Sequence, residues 1–270
     1  MSDFTEELHI AKKAAKKAAE VIRNFRQNQS FEINFKGRND LVTDADLAAE
    51  EKIIAIIKEH YPDDEILAEE SSNEQFLSAE RTWLIDPIDG TTNFAHGFPV
   101  YCVSIGLWEN RQPKMGVVLE VNSGECFHAI RGGDAYLNNK PISVSSVGEA
   151  SKSMIGTGFP YNNLQLIDNY LRFFKWLLAQ TQAVRRPGAA SYDLCCVAAG
   201  RFDGFYEYSL NPWDVGAAAL IVQEAGGMIS DWAGGDEWLF GERIIAGNPD
   251  IHAFLLDAIQ EHFLEEELRL

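Results

Sequence analysis

Two carboxylates, Asp86 and Asp89, stand on either side of Pro87 at the end of an apolar run, Trp83-Leu84-Ile85. The run reads as a buried strand, and the proline reads as its end, because it has no N–H for a ladder and restricts the residue before it. Gly90-Thr91-Thr92 follows and fits a tight turn into a helix. A helix start presents backbone N–H groups and a positive dipole end, which suits a phosphate. One short segment thus offers hard oxygen ligands beside an anion cradle. Mg²⁺ favours that setting, bound by few carboxylates together with substrate phosphate oxygens. The same string is also ordinary turn chemistry, since Asp, Pro and Gly dominate turns.

Other residues able to do chemistry lie far away in the sequence. Leu41-Val42-Thr43-Asp44-Ala45-Asp46 precedes a helical pattern, so Asp44 or Asp46 is expected to cap that helix. Glu69 and Glu70 end a short apolar strand, Glu65-Ile66-Leu67-Ala68. Pro187-Gly188-Ala189-Ala190 opens a helix of small residues, which permits close backbone approach by a substrate or by packing alone. Asn211-Pro212-Trp213-Asp214 opens a helix predicted to run to Glu224, where Asp214 would gain from the helix dipole. Glu207 stands seven residues before Asp214, and Arg185-Arg186 precede Pro187, where they suit either a second phosphate or the surface.

The string from Asp86 to Thr92 resembles the signature of the inositol monophosphatase family, the Mg²⁺-dependent, lithium-sensitive sugar-phosphate phosphatases. The Leu41-Val42-Thr43 segment ending in Asp46, the Glu69-Glu70-Ser71 element and the Trp213-Asp214 segment through Glu224-Ala225-Gly226-Gly227 resemble further family elements. The likeness spans roughly residues 3–260. Gly216 replaces one variable residue of the last element. The resemblance implies that Glu69, Asp86, the Ile88 carbonyl, Asp89 and Asp214 hold two Mg²⁺ ions, with a weaker third as an option. It implies that Glu69 and Thr91 orient the attacking water, that Asp46 acts near the metals through water, and that Lys36 comes from the loop before it. Substrate contacts carried over in the same way are Asp89, Gly90, Thr91, Gly188, Ala190, Glu207 and Asp214. The implied activity is that of an inositol-1-monophosphatase. Relatives act instead on fructose 1,6-bisphosphate, NADP or 3′-phosphoadenosine phosphates, and one branch also serves as a binding factor of the transcription machinery. A homodimer is expected on the same ground.

The elements that must position these residues fall into two groups. The 270 residues, 46% hydrophobic, suffice for a large core in one domain or two fused halves. Phe4, Leu8, Ala11, Ala15, Ala18, Ile22 and Phe25 recur at helical spacing after an Asp3/Glu6 pair with capping-box spacing. Lys12, Lys13, Lys16 and Lys17 on that helix fit a solvated face better than a membrane-binding one, given the alanine-rich apolar side. Phe31 to Phe35 alternates as a strand, and the loop 72–81 is polar and expected to be exposed. From Tyr101 to Val144 short strands follow one another, with a hairpin around Asn138-Asn139-Lys140-Pro141, so this half (1–146) reads as an antiparallel sheet. Residues 147–270 alternate strand and helix, including a helix from Leu164 to Leu178, and read as a second, α/β half packed rigidly without a linker. The resemblance extends this to a five-layer α/β/α/β/α sandwich with an antiparallel and a mixed sheet. No internal repeat or low-complexity segment is evident. A net charge of −18 argues against a nucleic-acid surface. The four cysteines form no CxxC pair and read as reduced core thiols of a cytoplasmic protein, and no apolar run reaches membrane-span length. The expected partner is a small phosphorylated substrate.

Overall fold

The computed structural model describes residues 4–28, 31–35, 41–72, 77, 80–161 and 163–268. Asp3 and Lys36 lie outside them, and so do the capping pair and the lysine role expected there. The helices are α1 (Thr5–Asn28), α2 (Asp44–His60), α3 (Thr91–His96), α4 (Ile167–Gln180), α5 (Ala190–Ala198), α6 (Pro212–Val215), α7 (Ala218–Glu224), α8 (Pro249–His262) and α9 (Glu265–Leu268). The strands are β1 (Ile33–Phe35), β2 (Leu41–Thr43), β3 (Glu65–Ala68), β4 (Arg81–Asp89), β5 (Cys102–Glu109), β6 (Gln112–Glu120), β7 (Cys126–Ile130), β8 (Ala135–Leu137), β9 (Lys140–Ile142), β10 (Met154–Thr157), β11 (Ala183–Arg185), β12 (Gly204–Tyr208), β13 (Met228–Ser230) and β14 (Arg243–Gly247).

Among the described residues, β3 to β9 form one sheet in sequence order, antiparallel except for the β3–β4 pair. A second, mixed sheet has the order β11-β10-β12-β14-β13. Three apolar clusters stack these elements. Alanines of α1 and isoleucines of α2 cover one face of the first sheet, where Trp83, Ile85 and Val117 point. Small side chains there let α1 approach closely, while Lys13, Lys16 and Lys17 stay exposed and Lys12 is half-buried. On the other face Leu84, Val118 and Phe127 meet α5, α6 and α7, and those helices also cover Phe205 and Ala246 of the second sheet. Tyr206, Tyr208 and Ile245 on the far side of that sheet meet α4 and α8. The layers therefore run helix, sheet, helix, sheet, helix. The four cysteines are free and buried. No helix among the described residues is long and apolar enough to cross a membrane.

Several local expectations are corrected. Pro87 does not end its strand; β4 continues to Asp89 through a bulge. Pro87 is tolerated because the β3 pairing stops at Ile85, so no ladder needs its N–H on that side. Thr43, not Asp44 or Asp46, caps α2, and Asp46 completes the capping box from the third helical position. The β8–β9 hairpin turns on two residues, Asn138-Asn139, with Asn138 at φ 57°, so β9 begins at Lys140. Leu164 lies before α4, and the helix expected from Asn211 to Glu224 is broken at Gly216-Ala217 into α6 and α7. Leu77 in the polar loop is buried against the middle layer.

Candidate active site

The bulge in β4 makes the centre. In a regular strand, residues three apart face opposite ways. Here Asp86 pairs with Ser104 and Asp89 with Cys102, so three steps on β4 match two on β5. The extra residue restores parity. Asp86 and Asp89 both turn from the α1/α2 layer toward the middle helices, while Ile85 and Ile88 both remain in the first cluster. The parallel register of β3, with Ala68 opposite Ile85, brings Glu69 beside Asp86, and the Glu69 N–H donates to the Ile85 carbonyl at 3.1 Å.

Asp46, Asp89 and Asp214 are each held by separate backbone N–H groups. Asp46 accepts the Thr43 N–H at 2.8 Å through Oδ2 and the Thr91 hydroxyl at 3.0 Å through Oδ1. The Thr91 hydroxyl also lies 3.0 Å from the Ile88 carbonyl, so its single proton has two acceptors. Asp89 accepts the Ala190 N–H at 3.1 Å and the Ser191 N–H at 2.6 Å, taking the N-terminus of α5, and the Cys102 thiol lies 3.6 Å away. Asp214 accepts the Asn211 N–H at 2.7 Å within its own helix start. α6 is in turn pinned to β5: the Ser104 hydroxyl donates to the Trp213 carbonyl and the Trp108 indole to the Gly216 carbonyl. Gly90 takes φ 97° as the first residue before α3, a conformation in which a side chain is strained.

Burial and mutual repulsion raise the pKa values of this group. Asp86 is pushed well above the ordinary carboxylate range by burial, then by the charges of Glu69, Asp89, Asp214 and Asp46. Burial raises Asp89 to about 6 against the pull of the Ser191 bonds. Burial, then the Asp89 charge, raises Asp214 to about 7. Glu207 on β12 reaches about 8, mainly through burial, although Arg186 draws it back. Asp86 Oδ1 is buried with no hydrogen-bond partner. An orphaned acceptor among repelling carboxylates is what a hard cation would satisfy, and the donor set is all oxygen. No three His, Cys, Asp or Glu side chains among the described residues are already drawn to chelating distance around one point.

Five of the predicted substrate residues, Asp89, Gly188, Ala190, Glu207 and Asp214, line one cavity together with Arg186, whereas Gly90 and Thr91 are not part of its lining. Arg186 is exposed, its guanidinium 5.2 Å from the centre of the Tyr161 ring, whereas Arg185 points away and bonds the Val184 carbonyl. The N–H of Ala190 is engaged by Asp89, so Ala190 contributes a wall and not a free donor. Glu70 turns toward α2, where its N–H meets Glu50. Sequence reasoning missed three supporting residues. Asn93 donates to the Val100 and Pro187 carbonyls at 2.8 and 3.0 Å, tying α3 to the Gly188 loop. The Ser191 hydroxyl donates to the Asp214 carbonyl at 2.7 Å. Asp193, buried on α5 with Oδ1 unpaired, has its pKa pushed well above the ordinary carboxylate range by burial and then the Glu207 charge. A Ser directly after the small-residue turn was a readable signal; an Asp inside a helix was not.

The profile of the inositol monophosphatase family matches residues 3–264. A putative Nus factor SuhB of Neisseria meningitidis serogroup B is 43% identical over 256 residues, covering 94% of this chain and 98% of that protein. An inositol-1-monophosphatase of Synechocystis is 44% identical over 260 residues, covering 96% and 90%. The crystal structure of extragenic suppressor protein suhB from Bartonella henselae superposes with a TM-score of 0.91 at 35% identity, covering 96% of this chain and 100% of that one. A match of this extent, laid over a bulged strand that turns two aspartates toward a third, places the chain in the inositol monophosphatase family.

Proposed function

We propose that the chain hydrolyses phosphate monoesters with Mg²⁺, as an inositol-1-monophosphatase-type enzyme. The observation that carries this is the buried, unpartnered Asp86 Oδ1 within a group of carboxylates that hold one another's protons on. Glu69, Asp86, the Ile88 carbonyl, Asp89 and Asp214 would hold two Mg²⁺ ions, with a weaker third as an option. When bound, Mg²⁺ supplies a Lewis acid that eases deprotonation of the attacking water and offsets charge on the phosphate oxygens. The chain's own residues set the geometry. Asp46 fixes the Thr91 hydroxyl, which with Glu69 orients the water. The backbone N–H groups of Gly90 and Thr91 face the phosphate. Glu207 takes a substrate hydroxyl, Gly188 leaves room for the ring, and Arg186 offers a charge to a substrate with a second phosphate. The homodimer expectation belongs to this reading and is decided by sedimentation.

Asp86→Asn and Asp214→Asn should each abolish Mg²⁺-dependent phosphate release with the fold retained, because each removes charge from a site that holds a cation by charge. Li⁺ at about millimolar concentration should inhibit, as expected for a weak hard-ion site. Full turnover in either variant at ordinary Mg²⁺ removes that residue from the ligand set. A panel of inositol monophosphates, fructose 1,6-bisphosphate, NADP and 3′-phosphoadenosine 5′-phosphate selects the substrate. The likeness to a putative Nus factor favours a second, compatible reading as a binding factor of the transcription machinery. Recovery of RNA polymerase or ribosomal proteins on the tagged chain tests it.

A further inference from the structure

A second cleft opens where the β5–β6 turn meets the connection between β13 and β14. Trp108 and Trp238 form its floor, with ring centres 5.9 Å apart. Arg111 and Arg131 line it from the β5–β6 turn and the end of β7, and Asp236 and Glu237 line it from the β13–β14 connection. All four charged side chains are exposed, and among the described residues none of them makes an ion pair. Two positive and two negative groups that share a cleft without pairing leave a gap that a ligand carrying both signs would bridge. The guanidiniums suit a carboxylate, the carboxylates suit an ammonium, and the tryptophan floor suits a small apolar body. The lining is balanced, and the molecule carries −18 overall, so a neutral zwitterion meets none of the long-range repulsion that a simple anion meets.

The floor of this cleft is joined to the acidic centre. The Trp108 indole N–H donates to the Gly216 carbonyl at 3.1 Å, and the Gly216 N–H closes α6 onto the Pro212 carbonyl at 2.8 Å. Asp214 lies inside that single turn. Gln223, on the wall of the cleft, belongs to α7, which continues from the same break. A ligand pressing on Trp108 therefore acts on the segment that aims Asp214.

We propose that this cleft binds a free amino acid with an apolar side chain, as its zwitterion, and that occupancy is transmitted to Asp214 through the Trp108–Gly216 bond. The transmission rests on the metal-site reading above; the binding does not. Calorimetric titration of the full chain with L-phenylalanine, 3-phenylpropionate and phenethylamine tests the binding. The expected result is one site per chain for L-phenylalanine, with each truncated compound weaker by at least about tenfold, a loss of more than 1.4 kcal/mol. Arg111→Gln with Arg131→Gln should erase the advantage of L-phenylalanine over phenethylamine, and Asp236→Asn with Glu237→Gln its advantage over phenylpropionate. Equal binding of all three compounds, displacement by inorganic phosphate, or no heat with L-phenylalanine, L-leucine or L-tryptophan overturns the site. For the transmission, saturating L-phenylalanine should shift the Mg²⁺ concentration that half-raises the melting temperature, and Trp108→Phe, which keeps a ring but loses the donor, should not show the shift. Mg²⁺ stabilisation that L-phenylalanine leaves unmoved overturns the transmission, whereas no Mg²⁺ stabilisation at all defeats the metal reading and leaves the binding test standing.

Discussion

The Thr91 hydroxyl has one proton and two acceptors, Asp46 Oδ1 and the Ile88 carbonyl, each at 3.0 Å. It is not a helix cap, because Gly90 occupies the cap position of α3 and no side-chain cap bond is made there. Its removal therefore costs only an ordinary hydrogen bond, about 1 kcal/mol. A group that orients the attacking water acts on the transition state, so kcat and kcat/KM should fall together. Thr91→Ala is expected to lower kcat by about 100-fold or more with little change in KM, and Thr91→Ser should retain most activity. Steady-state phosphate release beside melting temperatures decides this; an early melt with normal turnover would reduce Thr91 to a structural link. At this scale the sequence displayed the candidate oxygen ligands because Asp, Gly and Thr cluster around Pro87. It did not display Asn93, which bonds the Pro187 carbonyl 94 residues away, or Asp193, which is buried in α5 and meets the charge of Glu207 on β12.

Elements were legible where a period was long and uniform, as in α1, and illegible where a pairing partner decided the geometry. The spacing of Asp86 and Asp89 alone places them on opposite faces; the count of residues on β5 reverses that. The break between α6 and α7 is likewise set from outside, by β5 and β6. Gly106 and Gly116 lie against the backbone of Gly216 and Ala217, and a Cβ on Gly116 would overlap the Ala217 carbonyl oxygen. Because backbone cannot yield as a flexible side chain can, Gly116→Ala should destabilise by about 1–3 kcal/mol. It should also raise the Mg²⁺ concentration needed for half-maximal turnover, since the displaced segment carries Asp214. Denaturant unfolding and a Mg²⁺ titration of activity check the pair. Unchanged stability would show that the middle layer slides freely over the first sheet.

Across the whole molecule, the buried carboxylates make stability depend on pH in the direction opposite to a salt-bridged protein. Asp89, Asp214 and Glu207 titrate near 6, 7 and 8 when folded, against about 4 in an unfolded chain. Between about 4 and those values the folded chain holds protons that the unfolded chain has lost, so their contribution is complete below about pH 4 and disappears as pH rises through 6 to 8. In EDTA the melting temperature should therefore fall from about pH 5.5 to 8, and Mg²⁺ should restore more at the higher pH, because it binds the ionised form. An equal Mg²⁺ increment at both values would contradict this. The same centre lies on a seam. Asp89 of the first sheet takes the amides that begin α5, Asn93 reaches the Pro187 carbonyl, and Ser191 bonds the Asp214 carbonyl. If the polypeptide were made as two pieces, 1–146 and 147–270, one piece would carry Asp86 and Asp89 and the other Asp214. Neither would turn over alone, so phosphate release on mixing would behave as a split reporter that counts reassembled molecules.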